Sequence, residues 1–255
     1  MIIVKNASEL HKIRKSCELS ARALRLAGEK ITSGNGMSTW ELNRIIREFI
    51  EKHGAKPSFL GYRGFRGSAC ISVNEELIHG VPSKKKILRD GDIVSVDIGA
   101  FLDGWHGDNA ATFAVGGLEK LPDDAKRLLE VTKECLFTGI KAARAGNRVG
   151  DISNAIQTCC ESKGFYVVKD YIGHGIGRDL HEDPDIPNFG KAGKGARLTP
   201  GMTLAIEPMI NSSTSKVRLL PDNWTVVEGN GNLCAHFEHT IAVTEGQPII
   251  FTKLE

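Results

Sequence analysis

Leu10, Ile13, Cys17, Ala21, Leu24 and Ala27 recur at steps of three or four or a small multiple, a spacing that lays apolar side chains along one stripe of a helix. No proline interrupts the run, so the pattern predicts a helix from Ser8, as N-cap, to about Lys30. A second helix is predicted from Ser38 to His53, closed by Gly54. Glu41 follows Ser38 at the capping-box spacing, and Leu42, Ile45, Ile46, Phe49 and Ile50 make the buried face. Later, Pro122 to about Ala145 reads as a long helix, and Asp151 to Lys163 as a shorter one ending at Gly164.

The second helix pair echoes the first. At an offset of 110, Glu41-Leu42-Asn43 meets Asp151-Ile152-Ser153, Ile46 meets Ile156, Glu51 meets Glu161 and Gly54 meets Gly164. Both pairs lead into segments with strand character, and the period is far too long for a solenoid. The expectation is a pseudo-twofold α+β fold with its site between the halves. No linker or low-complexity stretch divides it, so residues 1–255 are expected to form a single catalytic domain.

One stretch, Asp92 to Asn109, alternates strictly. Val94, Val96 and Ile98 interleave with Ser95, Asp97 and Gly99, the period of a strand, and Asp103-Gly104 is a two-residue hairpin turn. With that turn, cross-strand partners sum to 207, so Asp97 lies opposite Ala110 and Asp108 opposite Gly99. Asp97 and Asp108 then share one face as diagonal neighbours, about 7–8 Å apart between backbones. Two carboxylates so placed on a buried face repel unless a proton or a cation lies between them.

Three further segments carry matching chemistry. Gly173-His174-Gly175 puts an imidazole in a glycine-rich turn, and Leu204-Ala-Ile-Glu207 and Phe237-Glu238-His-Thr-Ile place acids inside apolar strands, where an unpaired carboxylate is costly. Taken singly, each is as readily an edge-strand acid or a satisfied core histidine. Together they give four carboxylates and one imidazole, an oxygen-rich set that suits a pair of divalent ions better than one structural zinc.

Composition narrows the setting. A formal net charge of +2 leaves no basic field of the kind that drives nucleic-acid binding. Lys84-Lys85-Lys86 is the local exception, read as a solvated turn, with ribosomal RNA contact as the alternative. Six scattered cysteines without a CxxC pair fit a reducing cytosol better than a disulfide framework. No secretory leader is read in Met-Ile-Ile-Val-Lys-Asn, and no apolar run approaches the roughly 20 residues that cross a bilayer. A cytoplasmic protein without a membrane partner is expected.

The segments CISVNEELIHGVP, SVDIGAFLDGWHGDNAATF, GHGIGRDLHEDP, LAIEPMI and FEHTIAV resemble, in order and separation, those of bacterial type I methionine aminopeptidases, and the resemblance covers nearly the whole chain. It implies the pita-bread fold, two pseudo-symmetric halves around a curved antiparallel sheet. It implies that Asp97, Asp108, His174, Glu207 and Glu238 hold two divalent ions, with Asp108 and Glu238 bridging them; Co, Mn, Fe, Zn and Ni are all admissible. Glu207 would also act as general base, and His79 and His181 would donate hydrogen bonds to the substrate. Tyr62, Phe65, Cys70, His79 and Trp224 would wall the methionine pocket, with Phe59 nearby. The implied substrates are nascent polypeptide N-termini with a small, uncharged second residue, handled by a monomer in transient contact with the ribosome. Two positions depart from the family pattern: Phe59 stands where a smaller Cys is usual, and Leu180 where an aromatic is.

The nearest rivals share the fold. Prolidases and aminopeptidases P usually carry an additional N-terminal domain, for which a first helix near Ser8 leaves no room. Type II methionine aminopeptidases insert a helical segment between the last two glutamates, whereas Glu207 and Glu238 are only 31 apart. A non-catalytic binding module on this fold would have forfeited ligands that this chain retains.

Overall fold

The computed structural model describes residues 1–34 and 36–254. Four long helices, α1 (Ala7–Thr32), α2 (Thr39–Lys52), α3 (Asp123–Ala142) and α4 (Val149–Ser162), cover one face of a nine-stranded sheet. Its main path runs Lys56–Pro57, Ile93–Leu102, Trp105–Ala114, Glu238–Ala242, Thr203–Ile206, Gly173–Gly175, Glu182–Ile186, every neighbour antiparallel. Cys70–Val73 and Ile249–Ile250 pair with it from the side.

The predicted helices are present, with shifted ends. α1 starts a residue before Ser8 because Asn6 is its N-cap: the Asn6 side chain accepts from the Glu9 amide at 3.0 Å while the Glu9 carboxylate accepts from the Asn6 amide at 3.1 Å. Ser38 caps α2 as expected. α3 ends at Ala142, short of Ala145, and α4 begins at Val149, two residues ahead of Asp151. Asp151 sits inside the first turn, where its carboxylate accepts from the Arg148 amide at 2.7 Å.

The repeat extends well past the helices. α2 and α4, the strand pairs Lys56–Pro57 and Tyr166–Val167, and the strand starts Ile93 and Thr203 are each separated by 110 positions. So are the isolated bridges Ser38 to Ile87 and Arg148 to Arg197. Each half has its own core. Leu42, Ile46 and Ile50 pack on Val94, Val96 and Ile98 in the first, and Ile152 and Ile156 join Leu204 and Ile206 in the second. Burying such side chains stabilises by about 1.5–3 kcal/mol each.

The hairpin register is as the alternation requires, from Leu102 opposite Trp105 to Asp97 opposite Ala110 and Gly99 opposite Asp108. Val94, Val96 and Ile98 meet the helices, so Asp97 and Asp108 point to the other face. Gly107 lets α1 lie directly on the hairpin: a Cβ there would come within 2.3 Å of the Cys17 amide nitrogen. In the lysine loop, Lys84 and Lys85 are exposed, but Lys86 is not a free solvated charge; its ammonium pairs with Glu76 at 2.5 and 2.6 Å.

Candidate metal centre

On the face away from the helices lies a cavity of about 330 Å³. Asp97 and Asp108 reach it from the hairpin, Glu238 from the first position of its strand, His174 from the short strand Gly173–Gly175. Glu207 also lines it, one residue beyond the end of its apolar strand at Ile206 and not inside it as expected. The donor atoms of Asp108, His174 and Glu238 all lie within 4.8 Å of one another. Asp97 and Asp108 are close enough to share a proton, and Glu207 Oε1 is 3.6 Å from His174 Nε2.

Electrostatics here resist charge. Burial, and then the neighbouring carboxylates, push Asp97 and Glu238 well above the ordinary carboxylate range. Burial lifts Asp108 to about 7 and Glu207 to about 8. Burial also holds His174 down at about 3, so its ring is neutral. The His174 Nδ1 bonds the Gly175 carbonyl at 2.8 Å, and as that oxygen can only accept, Nδ1 carries the proton and Nε2 keeps a lone pair toward the carboxylates.

A divalent cation fits this set. Asp97 Oδ1, Asp108 Oδ1 and Glu238 Oε1 are buried oxygens without a hydrogen-bond partner, a costly arrangement unless a cation shares them. Among the described residues no lysine or arginine pairs with the four carboxylates; only His174 and His236 approach Glu207. Oxygen donors with one imidazole favour ions such as Mn²⁺, Fe²⁺ or Co²⁺.

Every residue singled out from the sequence lines this one cavity, including Phe59, Tyr62, Phe65, Cys70, His79, His181 and Trp224. Phe59, Phe65, Cys70, Ile176 and Leu180 form an apolar cluster, with Tyr62 and Trp224 packed against it. Trp224 meets Phe65 edge-on at 5.0 Å between ring centroids and His79 at 6.4 Å. Cys70 pairs with Asp97 across strands, and burial raises its thiol pKa, so it is an apolar wall here. The Phe59 ring lies over the hairpin backbone at Gly99, where a Cβ would come within 2.9 Å of it. The histidines differ in setting: His181, at the mouth, is exposed and meets Tyr62 Oη through Nδ1 at 2.7 Å, and His79 adopts φ +56° with burial lowering it to about 4.

Several residues escaped the sequence reading. Arg63, Ile78, Asp170, Tyr171 and Ile172 also line the cavity. His236 lies behind it, 1% exposed, its Nε2 3.4 Å from Glu207 Oε2 though poorly aligned for a hydrogen bond. A signal for His236 was available, since it stands two positions before Glu238 and the residues between alternate.

Comparison with known proteins identifies the family. Residues 11–245 match metallopeptidase family M24. The chain is 52% identical to methionine aminopeptidase 1 of Bacillus subtilis, with all of both sequences covered. The crystal structure of a methionine aminopeptidase from Thermotoga maritima superposes with a TM-score of 0.95 at 45% identity, again over all of both chains. The prolidase from Pyrococcus furiosus gives 0.78 at 26% identity, and there this chain spans 66% of that one. The fold and site thus define a metallopeptidase of family M24, to which the chain belongs. Within that family it belongs with the methionine aminopeptidases.

Proposed function

We propose that this chain removes the N-terminal methionine of polypeptides whose second residue is small and uncharged, using two divalent ions held by Asp97, Asp108, His174, Glu207 and Glu238. The observation that carries the reading is the buried, unpaired set of carboxylates at the end of an apolar cavity. Bound divalent ions supply Lewis acidity and a nucleophilic water at neutral pH. Asp108 and Glu238, on the two central strands, would hold the ions together with His174, their donor atoms lying within 4.8 Å of one another. Glu207, whose Oε2 faces His236 Nε2 at 3.4 Å, would accept the proton of the attacking water.

His79 is lowered by burial, and His181, exposed at the mouth, by partial desolvation of its ring and by the Arg63 guanidinium, so both are neutral at pH 7 and each offers a ring N–H to the scissile peptide and its developing oxyanion. Tyr62 Oη at His181 Nδ1 fixes that ring. Phe59, Phe65, Cys70 and Trp224 accept the methionine thioether by contact with sulfur and aromatic faces. Tyr62 and Arg63, beside His181, are the side chains that the second residue would meet. The chain acts as a cytoplasmic monomer on nascent N-termini near the ribosome; six free cysteines support a reducing compartment, and no helix is long and apolar enough to cross a membrane among the described residues.

The test offers Met-Ala-Ser, Met-Lys-Ser and an X-Pro peptide to the protein with Mn²⁺, Fe²⁺ or Co²⁺. Methionine release from the first alone is expected, whereas cleavage of the X-Pro peptide would transfer the chain to the proline-directed enzymes. Asp108→Ala is expected to lose metal binding and turnover together while circular dichroism stays native.

A further inference from the structure

The helix face of the sheet carries a second cavity, of about 640 Å³, that the peptidase reaction does not use. It opens at the seam between the halves. Leu24 of α1, Leu129 and Phe137 of α3, and Phe113 and Phe237 from the sheet make its walls apolar. At its base lie Asn109 and His239, partners across the two central strands. They follow Asp108 and Glu238 directly in sequence, so alternation turns them to the opposite face from the metal centre.

Two observations point to a ligand. Asn109 is only 2% exposed, yet its side-chain oxygen Oδ1 has no hydrogen-bond partner; such a group costs about 1–3 kcal/mol until a donor reaches it. The rim is cationic: Arg25, Lys126, Lys133 and Lys253 face a single acid, Glu130. Lys126 pairs with Asp123 at 3.0 Å and Arg25 approaches Glu29 at 3.8 Å, whereas Lys133 and Lys253 have no carboxylate partner among the described residues. A volume in the range of about 300–1,000 Å³, mostly apolar walls and few polar groups are the marks of a small-molecule site.

We infer that this groove binds a small amphiphilic anion. Its apolar body lies among Phe113, Phe137 and Phe237, an N–H or O–H donates to Asn109 Oδ1, and its acidic head meets Lys133 and Lys253. Asn109 is only 2% exposed, so a slender molecule is a better-fitting occupant than the face of a docked protein.

The probe is 8-anilinonaphthalene-1-sulfonate, an aromatic sulfonate with one N–H, titrated by fluorescence into the folded, metal-loaded protein. One site per chain with enhanced, blue-shifted emission is expected, together with displacement by decanoate. The double variant Lys133→Glu, Lys253→Glu is expected to weaken the probe at least tenfold while circular dichroism and methionine release stay native. Asn109→Leu, which keeps the apolar body and removes the acceptor, is expected to weaken it several-fold. Excess free methionine, directed to the catalytic cavity, is expected to leave the titration unchanged. Equal affinity in wild type and double variant, displacement by methionine, or only many weak sites would each overturn the assignment. None of these binding readouts depends on the peptidase reading.

Discussion

His236 touches Glu207 from behind, and its ring is neutral because burial holds it at about 3. A neutral imidazole 3.4 Å from a carboxylate limits where that side chain can move without cancelling its charge. His236→Ala is expected to lower metal affinity or turnover by about 10–100-fold, the usual cost of losing an outer-shell partner. Calorimetric titration with Mn²⁺ reads the affinity directly, and rescue by His236→Gln would separate positioning from bulk. Unchanged affinity would remove His236 from the site. The four acids were legible in the sequence because each breaks an apolar alternation that a strand otherwise imposes. Arg63 and the segment Asp170-Tyr171-Ile172 were not, because they arrive on a single 3-10 turn and a loop, where no periodicity says which way a side chain points.

The hairpin is the element on which the site depends. Asp103 and Gly104 adopt φ +52° and +84°, the left-handed pair of a type I′ turn, and this fixes the register that sets Asp97 diagonal to Asp108. Gly104→Val is expected to destabilise by about 1–2 kcal/mol, because a branched side chain is strained in that conformation. Urea unfolding measures it, and a change below 0.5 kcal/mol would show that the strands hold register without the turn. Helix existence was readable from apolar stripes, whereas helix ends were not. Asn6 and Ser8 are both cap formers, and only Glu9, three residues after Asn6, decides between them. Likewise, Asp151 resembles a cap until the structure places it in the first turn, bonded back to Arg148.

Across the whole molecule, the metal centre opposes folding until it is filled. Asp97, Asp108, Glu207 and Glu238 all have folded-state values raised above the ordinary 3.8 or 4.5. Between those limits the metal-free folded state holds protons that the unfolded chain has released. The contribution of these four acids is therefore fully present below about pH 4 and falls as pH rises toward 7 to 8, through the raised values of Asp108 and Glu207, whereas the buried neutral histidines cost stability below about pH 6.5. After chelation, urea unfolding is expected to give a lower stability at pH 8 than at pH 6.5, a window above the range in which the buried histidines cost stability. Adding Mn²⁺ should reverse the loss, by about 2.7 kcal/mol at a hundredfold excess over Kd. Identical stabilities at the two pH values would contradict the buried-acid account. The sequence pointed to paired halves through a few identities in one helix, and the structure extends the same 110-residue step to strands and bridges. Backbone geometry keeps a repeat that side chains have largely lost.

That step also joins Asp97 to Glu207, each four residues on from the corresponding strand starts Ile93 and Thr203, and sets Gly64 against His174. Such a correspondence is what duplication and fusion of a gene leave behind. A single ancestral half would carry an incomplete cradle of carboxylates and become a catalyst only as a homodimer, with its ions on the symmetry axis. Fusion would have released the two copies from obeying one sequence. One half has a glycine, Gly64, where the other has the imidazole of His174, so the centre is handed although the backbone around it repeats.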